Sequence, residues 1–129
     1  MWPPGTVAVL TTVGADGPHA IPVSTAISAG PRAVVLALGS GRGSLARLRD
    51  DPRCALTVIA PEAAITLRGR ASVAGEAAGT VAVRLDVEAV DDHDQPTFTI
   101  EAGVRWHWTD ADAERRDAEV HAALRRLVG

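Results

Sequence analysis

The chain contains no lysine: every one of its 13 strongly basic side chains is an arginine. A Walker-type phosphate loop needs a lysine to reach the phosphates, so that class is excluded. Cysteine is nearly absent too. The single Cys54 rules out an internal disulfide and a cysteine-rich metal site. It lies in an apolar run and reads as a small core residue. Basic charge is not in excess, since the formal net charge is −3. That excludes the concentrated positive face that nucleic-acid binding requires. No apolar run approaches the roughly 20 residues of a membrane span. The opening "MWPPGTVAVLTT" has no basic stretch leading into a long apolar one, so no signal peptide is expected and the expected location is the cytoplasm. The four histidines, His19, His93, His107 and His121, have no zinc-ligand spacing, and "DDHD" at 91–94 lacks the calcium-loop pattern. No metal and no membrane partner are expected.

What is present is apolar content and strand periodicity. With 129 residues, 47% of them hydrophobic, the chain has the material for one domain with a real core. Val81 to Ala89 alternates, with Val81, Val83, Leu85, Val87 and Ala89 on one face against Arg84, Asp86 and Glu88. Ala64 to Val73 sets Ile65, Leu67, Ala71 and Val73 against Thr66, Arg68, Arg70 and Ser72. Phe98 to Trp108 alternates as well, and "VDDHDQP" before it predicts a hairpin connection. Val7–Val13, His19–Ile27, Ala33–Leu38 and Cys54–Ala60 are further β-rich runs, separated by "GADG", "SAGPR" and prolines. Pro22 inside the second run predicts an edge, a bulge or an interrupted pairing.

Two segments have helical spacing. Ser44–Asp50 is short, with glycines before it and Pro52 after it. Thr109–Leu127 opens on "TDAD", with acids for the first turn, and carries Ala113, Val120, Leu124 and Leu127 along one stripe. His121 is expected on its polar side, and His107 facing outward on its strand. Six or seven short strands without βαβ alternation predict a mainly all-β, antiparallel barrel or sandwich over residues 1–129, with a short helix after the third strand and a C-terminal helix.

The most pointed motif is "GSGRGSLARLRDDPR", Gly39 to Arg53. A Rossmann fingerprint needs a parallel setting that the strand pattern denies. What remains is the start of a helix with free backbone N–H groups at Gly43 and its neighbours, the hydroxyls of Ser40 and Ser44, and the forked donor of Arg42. That set suits one phosphate group, and equally an ordinary capped helix. "RWHW", 105–108, brings two tryptophans to one face, as core packing or as an aromatic wall. No serine has a nucleophile-elbow context, and Asp86 and Glu88 read as solvated. If the protein is an enzyme, a cofactor carries its chemistry.

The order "VAVLTTVGADGPHAIPVSTAI", then a strand, then "GRGSLARLRDDPRCALTVIA", then "ITLRGRASV" resembles the pyridoxamine 5′-phosphate oxidase-like flavin split-barrel family over residues 7–73. The resemblance implies a split barrel that forms a homodimer, with FMN, or in one branch a deazaflavin, bound where two subunits meet. It implies that Arg42 contacts the cofactor phosphate and that Pro22, Val23 and Ser24 lie along the isoalloxazine ring. It also implies departures. Ser44 stands where relatives commonly carry a lysine, and Arg47 where they carry an asparagine and where it can substitute for the lost charge. The family's N-terminal helix is missing, and the segment after Val73 looks shortened. The R-x-x-L-Y signature of the true oxidases is not evident, so that reaction is not assigned. Trp106 is expected to close the pocket from the partner subunit.

Two functions follow as expectations. One is a flavin-dependent oxidoreductase acting on a small organic substrate. The other is a flavin or small-ligand binding protein of the same fold without turnover. A barrel that has lost its cofactor is the third alternative.

Overall fold

The computed structural model describes residues 2–61 and 63–129. Seven strands form one antiparallel sheet: β1 (Ala8–Gly14), β2 (Gly17–Val23), β3 (Ile27–Ser28), β4 (Ala33–Leu38), β5 (Arg53–Ala60), β6 (Ala63–Ala77) and β7 (Thr80–Asp92). Their order is β2-β1-β5-β6-β7-β4-β3. Helix α1 (Gly43–Asp50) links β4 to β5, and α2 (Ala111–Val128) ends the chain. The sheet coils around a core without closing, so β2 and β3 remain its edges.

Period two dictates what goes inside. β1 buries Ala8, Leu10 and Thr12; β5 buries Cys54, Leu56, Val58 and Ala60; β7 buries Val83 and Leu85. Strand β4 is buried on both faces. Val34, Leu36 and Leu38 point into the barrel, while Val35 meets α2 across a second cluster with Ala77, Ala82, Val120, Ala123 and Leu124. Trp2 is buried in the main core cluster, its indole N–H donating to the Ala26 carbonyl at 2.8 Å.

The expected His19–Ile27 strand divides. Pairing with β1 stops at Val23, and Thr25 turns its hydroxyl to the Ala37 backbone, which donates to it at 2.9 Å. Helix α1 therefore follows β4 rather than the third strand. Pro22 lies on the free edge of the sheet, where its missing N–H costs no ladder bond.

The expected hairpin partner at 98–108 is a correction: residues 93–110 form no strand. Strand β7 has β6 on one side and β4 on the other, so no edge is left for a third neighbour. "VDDHDQP" is accordingly no hairpin connection; Asp91 and Asp92 finish β7. The hairpin is β6–β7, closed by Ala78 and Gly79, both at positive φ (49° and 85°), as a two-residue type I′ turn requires. β6 also continues past Val73 to Ala77. Register shifts at Arg68/Gly69 and Val73/Gly75 bend this long hairpin. At the first, a Cβ on Gly69 would overlap the Asp86 carbonyl oxygen, so only glycine fits.

His121 is the second correction: it is buried, not on the polar side of α2. The helix rests on the small side chains Ala77 and Ala82 through Val120, Ala123 and Leu124, and His121 lies beside that buried stripe. Its Nε2 lies 3.4 Å from the Asp117 carboxylate. Asp110 caps α2, its carboxylate accepting from the Asp112 and Ala113 N–H groups.

Candidate functional site

Two groups of residues stand towards the two ends of β1, one beside its start at Val7–Val9 and the other at the start of α1 beside Gly14. The first forms a pocket of about 350 Å³, lined by Val7, Pro22, Val23, Ser24, Trp106, His107, Trp108 and Thr109. One wall is the end of edge strand β2, where Val23 is buried and Pro22 exposed. The other is the irregular segment that leads into α2. It is pinned there by the Trp106 indole N–H, which donates to the Gly5 carbonyl at 3.0 Å. Gly5 has φ 85°, and a Cβ on it would meet Trp106 at 3.7 Å. The Trp106 and Trp108 rings meet edge to face, with centroids 5.2 Å apart.

The second group is the glycine loop. Arg42 is the N-cap of α1 in extended backbone (φ −69°, ψ 135°), and no side chain caps the helix. The first-turn N–H groups are thus a donor set for an anion. Ser40, Arg42 and Gly43 are exposed, and Ser44 is buried. The Arg47 side chain folds back along the helix. Its Nη1 lies 3.1 Å from where a Gly43 Cβ would stand, and its Nε 3.3 Å from the same point on Gly14. A guanidinium is thereby held over a helix N-terminus, whose partial charge is also positive. Asp16 offsets the conflict: its carboxyl is held below the ordinary range, chiefly by a 2.8 Å hydrogen bond with His19, with Arg47 adding to the effect. Arg47 and Asp16 share a second pocket, of about 450 Å³, with Asp50, Asp51 and Arg53.

The chain links the two groups. Thr25, next to Ser24, is bonded to Ala37, and Gly39 follows two residues later. From there the loop runs to Gly43 and Arg47 beside Gly14. Pro22 pairs with Val9, five residues from Gly14 along β1, or about 17 Å. The nine residues expected from sequence therefore fall into a ring-sized apolar pocket (Pro22, Val23, Ser24, Trp106) and a cationic loop (Ser40, Arg42, Gly43, Ser44, Arg47). Trp106 and Pro22 line the first pocket within one chain.

Sequence reasoning missed Val7, His107, Trp108 and Thr109 as pocket residues. "RWHW" carries the signal for the tryptophans; His107 is exposed as expected, on an irregular segment rather than a strand. The side chains nearby offer no nucleophile. Burial pushes the Cys54 thiol up to about 11, so it stays protonated and inert at neutral pH. Among the described residues no three metal-ligating side chains gather, and no helix is long and apolar enough to cross a membrane.

Comparison with known proteins agrees with the architecture. The fold resembles that of HupZ from group A Streptococcus (14% identity, 78% of this chain and 90% of that one, TM-score 0.60). It also resembles the styrene monooxygenase flavin reductase of Pseudomonas putida S12 (15%, 69% and 79%, TM-score 0.58). A third likeness is to a FAD-binding protein of Mesorhizobium loti (14%, 66% and 83%, TM-score 0.56). No curated protein sequence matches. The family model for pyridoxamine 5′-phosphate oxidase matches residues 3–100, from the segment after Trp2 through β7 and beyond, and the chain belongs to that family.

Proposed function

We propose that this chain binds FMN and acts as a flavin-dependent oxidoreductase on a small organic substrate. The observation that carries the reading is the pairing of an apolar, tryptophan-walled pocket with an uncapped helix start and two arginines, joined through Thr25 and Ala37. The donor set fits the cofactor. Arg42, the Gly43 and Ser44 N–H groups and Arg47 suit the phosphate, and Pro22, Val23 and Ser24 suit one face of the ring. Structural neighbours named as a flavin reductase and a FAD-binding protein support a flavin. A bound flavin supplies the electron transfer; the protein's own groups hold it, orient it and keep water from the ring.

The functional unit we propose is a homodimer. The outer face of β2, β1 and β5 carries Val9 (40% exposed) and Ile59 (57% exposed) beside Pro18, Ala20 and Pro22, and neither helix covers it. A second copy would bury that face and deepen the shallow pocket.

Arg42→Ala tests the phosphate assignment. Loss of one charge-assisted contact is worth about 1.5–3 kcal/mol, so FMN affinity should fall about tenfold to hundredfold. Unchanged affinity would remove Arg42 from the site. A second reading, a flavin carrier without turnover, is favoured by buried Ser44 in place of a charged side chain. Tight FMN binding with no flavin reduction by a nicotinamide or deazaflavin donor would select it. Deazaflavin as the resident cofactor is tested by the same titration.

A further inference from the structure

The barrel core has an unfilled place beside α1. Val73 on β6 pairs with Val83 on β7, and Ala71 pairs with Leu85, so these four side chains share one face of the sheet. Three of them are buried in the main core, Val83 to 2% exposure, whereas Val73 is 51% exposed. Helix α1 adds Leu45 and Leu48 to that core and ends at Asp50. Pro52 already belongs to the next ladder, its carbonyl accepting from the Ala71 N–H at 2.8 Å. Val73 is thereby left half open, just before the register shift at Val73/Gly75. The gap is a groove of about 240 Å³, bounded by Leu45, Leu48 and Pro52 from α1 and its exit and by Ala71, Val73 and Val83 from the sheet. Ser72 and Arg49 complete the lining, and Arg49 is its one charged side chain. Among the described residues no ion pair engages Arg49. Of the two acids that follow it, Asp51 is bound to Arg53 at 2.6 Å and Asp50 lines the pocket beside Gly14. Arg47, two residues earlier and so about 200° round the helix, faces Gly14. Groove and glycine loop therefore lie on different sides of α1.

We propose that this groove binds a small amphipathic monocarboxylate, with its alkyl chain on the core leucines and valines and its carboxylate at Arg49. An apolar floor made of core residues with a single cation at its edge complements an apolar body that carries one negative charge. The size fits a short chain: a cavity of about 150 Å³ holds the six carbons of benzene, so this one takes about ten non-hydrogen atoms, a carboxylate of about six to eight carbons. The chain would complete the cover that α1 leaves off over Val73. The site shares no residue with the proposed flavin site and does not depend on it.

The experiment is isothermal titration calorimetry of the full chain with sodium hexanoate and with 1-hexanol, joined to NMR of the leucine and valine methyls to locate the ligand. Hexanoate should saturate at one per chain below about 10 mM and shift the methyls of Leu45, Leu48, Val73 and Val83. 1-Hexanol should bind the same groove about threefold to fivefold more weakly, the difference expected of one exposed ion pair. Arg49→Gln should bring hexanoate down to the affinity of the alcohol and leave the alcohol unchanged. Val73→Phe, at a half-exposed position with room for the ring, should fill the groove and weaken both ligands at least about tenfold. Equal binding of acid and alcohol by the wild type, or hexanoate affinity unmoved in Arg49→Gln, would overturn the carboxylate assignment and the proposal with it. No saturation by about 10 mM, or methyl shifts confined to another part of the barrel, would overturn the site on the wild type alone, whether or not Val73→Phe folds.

Discussion

Replacing Gly43 with alanine should raise the stability of the protein and lower its affinity for FMN. Gly43 is the first residue of α1, with φ outside the left-handed region, so alanine fits the backbone. Removing a glycine from a helix gains about 0.5–1 kcal/mol in an interior, and the lower figure applies at a first-turn position. At about 2.1 cal/mol/K per residue, unfolding 129 residues carries an entropy near 270 cal/mol/K, so 0.5 kcal/mol raises Tm by about 2 °C. The new methyl would stand 3.1 Å from Arg47 Nη1, closer than ordinary contact. Its neighbour is the far end of a flexible side chain, so the guanidinium yields and the fold does not. What suffers is the anion site, because the methyl intrudes between the Arg47 head and the first-turn N–H groups. Losing about half of one charge-assisted contact, about 1–1.4 kcal/mol, weakens FMN fivefold to tenfold. Differential scanning calorimetry and fluorescence titration on the same samples read both numbers. Higher Tm with unchanged affinity would refute the placement of the phosphate at α1.

Gly69→Ala should destabilise the protein by about 3 kcal/mol, near 11 °C in Tm, because its Cβ would strike the Asp86 carbonyl oxygen, which cannot move without opening the β6–β7 bulge; a shift under 2 °C would show that the bulge relaxes freely. Hydrogen bonding from Arg53 holds the Asp51 carboxyl down to about 2. A carboxyl lowered on folding stabilises the native state above its ordinary value near 4, and that contribution disappears as pH falls from about 4 towards 2. Asp51→Asn should therefore flatten acid unfolding in that interval, and identical acid curves would discard the pair. The Cys54 thiol, raised to about 11 by burial, should resist Ellman's reagent at pH 7.5 and react at once in denaturant; rapid native labelling would show that β5 opens.

The strands were legible wherever one face is buried. Val81–Ala89 and Ala64–Val73 announce β7 and β6 because Leu67, Ala71, Val83 and Leu85 face one core. Their closing turn was not legible, since Ala78 is an alanine forced to φ 49° and only Gly79 has turn character. Residues 98–108 show that alternation is necessary for a half-buried strand and not sufficient: the pattern is present, but both edges of β7 are occupied. His121 escaped for a related reason, because how deep a helix sits depends on the alanines beneath it. At the candidate site, residue order singles out the glycine loop and Pro22–Ser24. The contribution of Val7, His107 and Thr109 could not, because it arises only when residues 106–109 fold back on the N-terminal segment through the Gly5–Trp106 bond.

The central claim is that this barrel holds FMN through its glycine loop and its tryptophan-walled pocket. The measurement that tests it most directly is titration of purified protein with FMN, and then with a deazaflavin, followed by absorbance and tryptophan fluorescence. The account predicts saturable binding near one FMN per chain, with quenching from Trp106 and Trp108 beside the ring. Absence of saturable binding by either cofactor, in protein that is folded by circular dichroism, would contradict it.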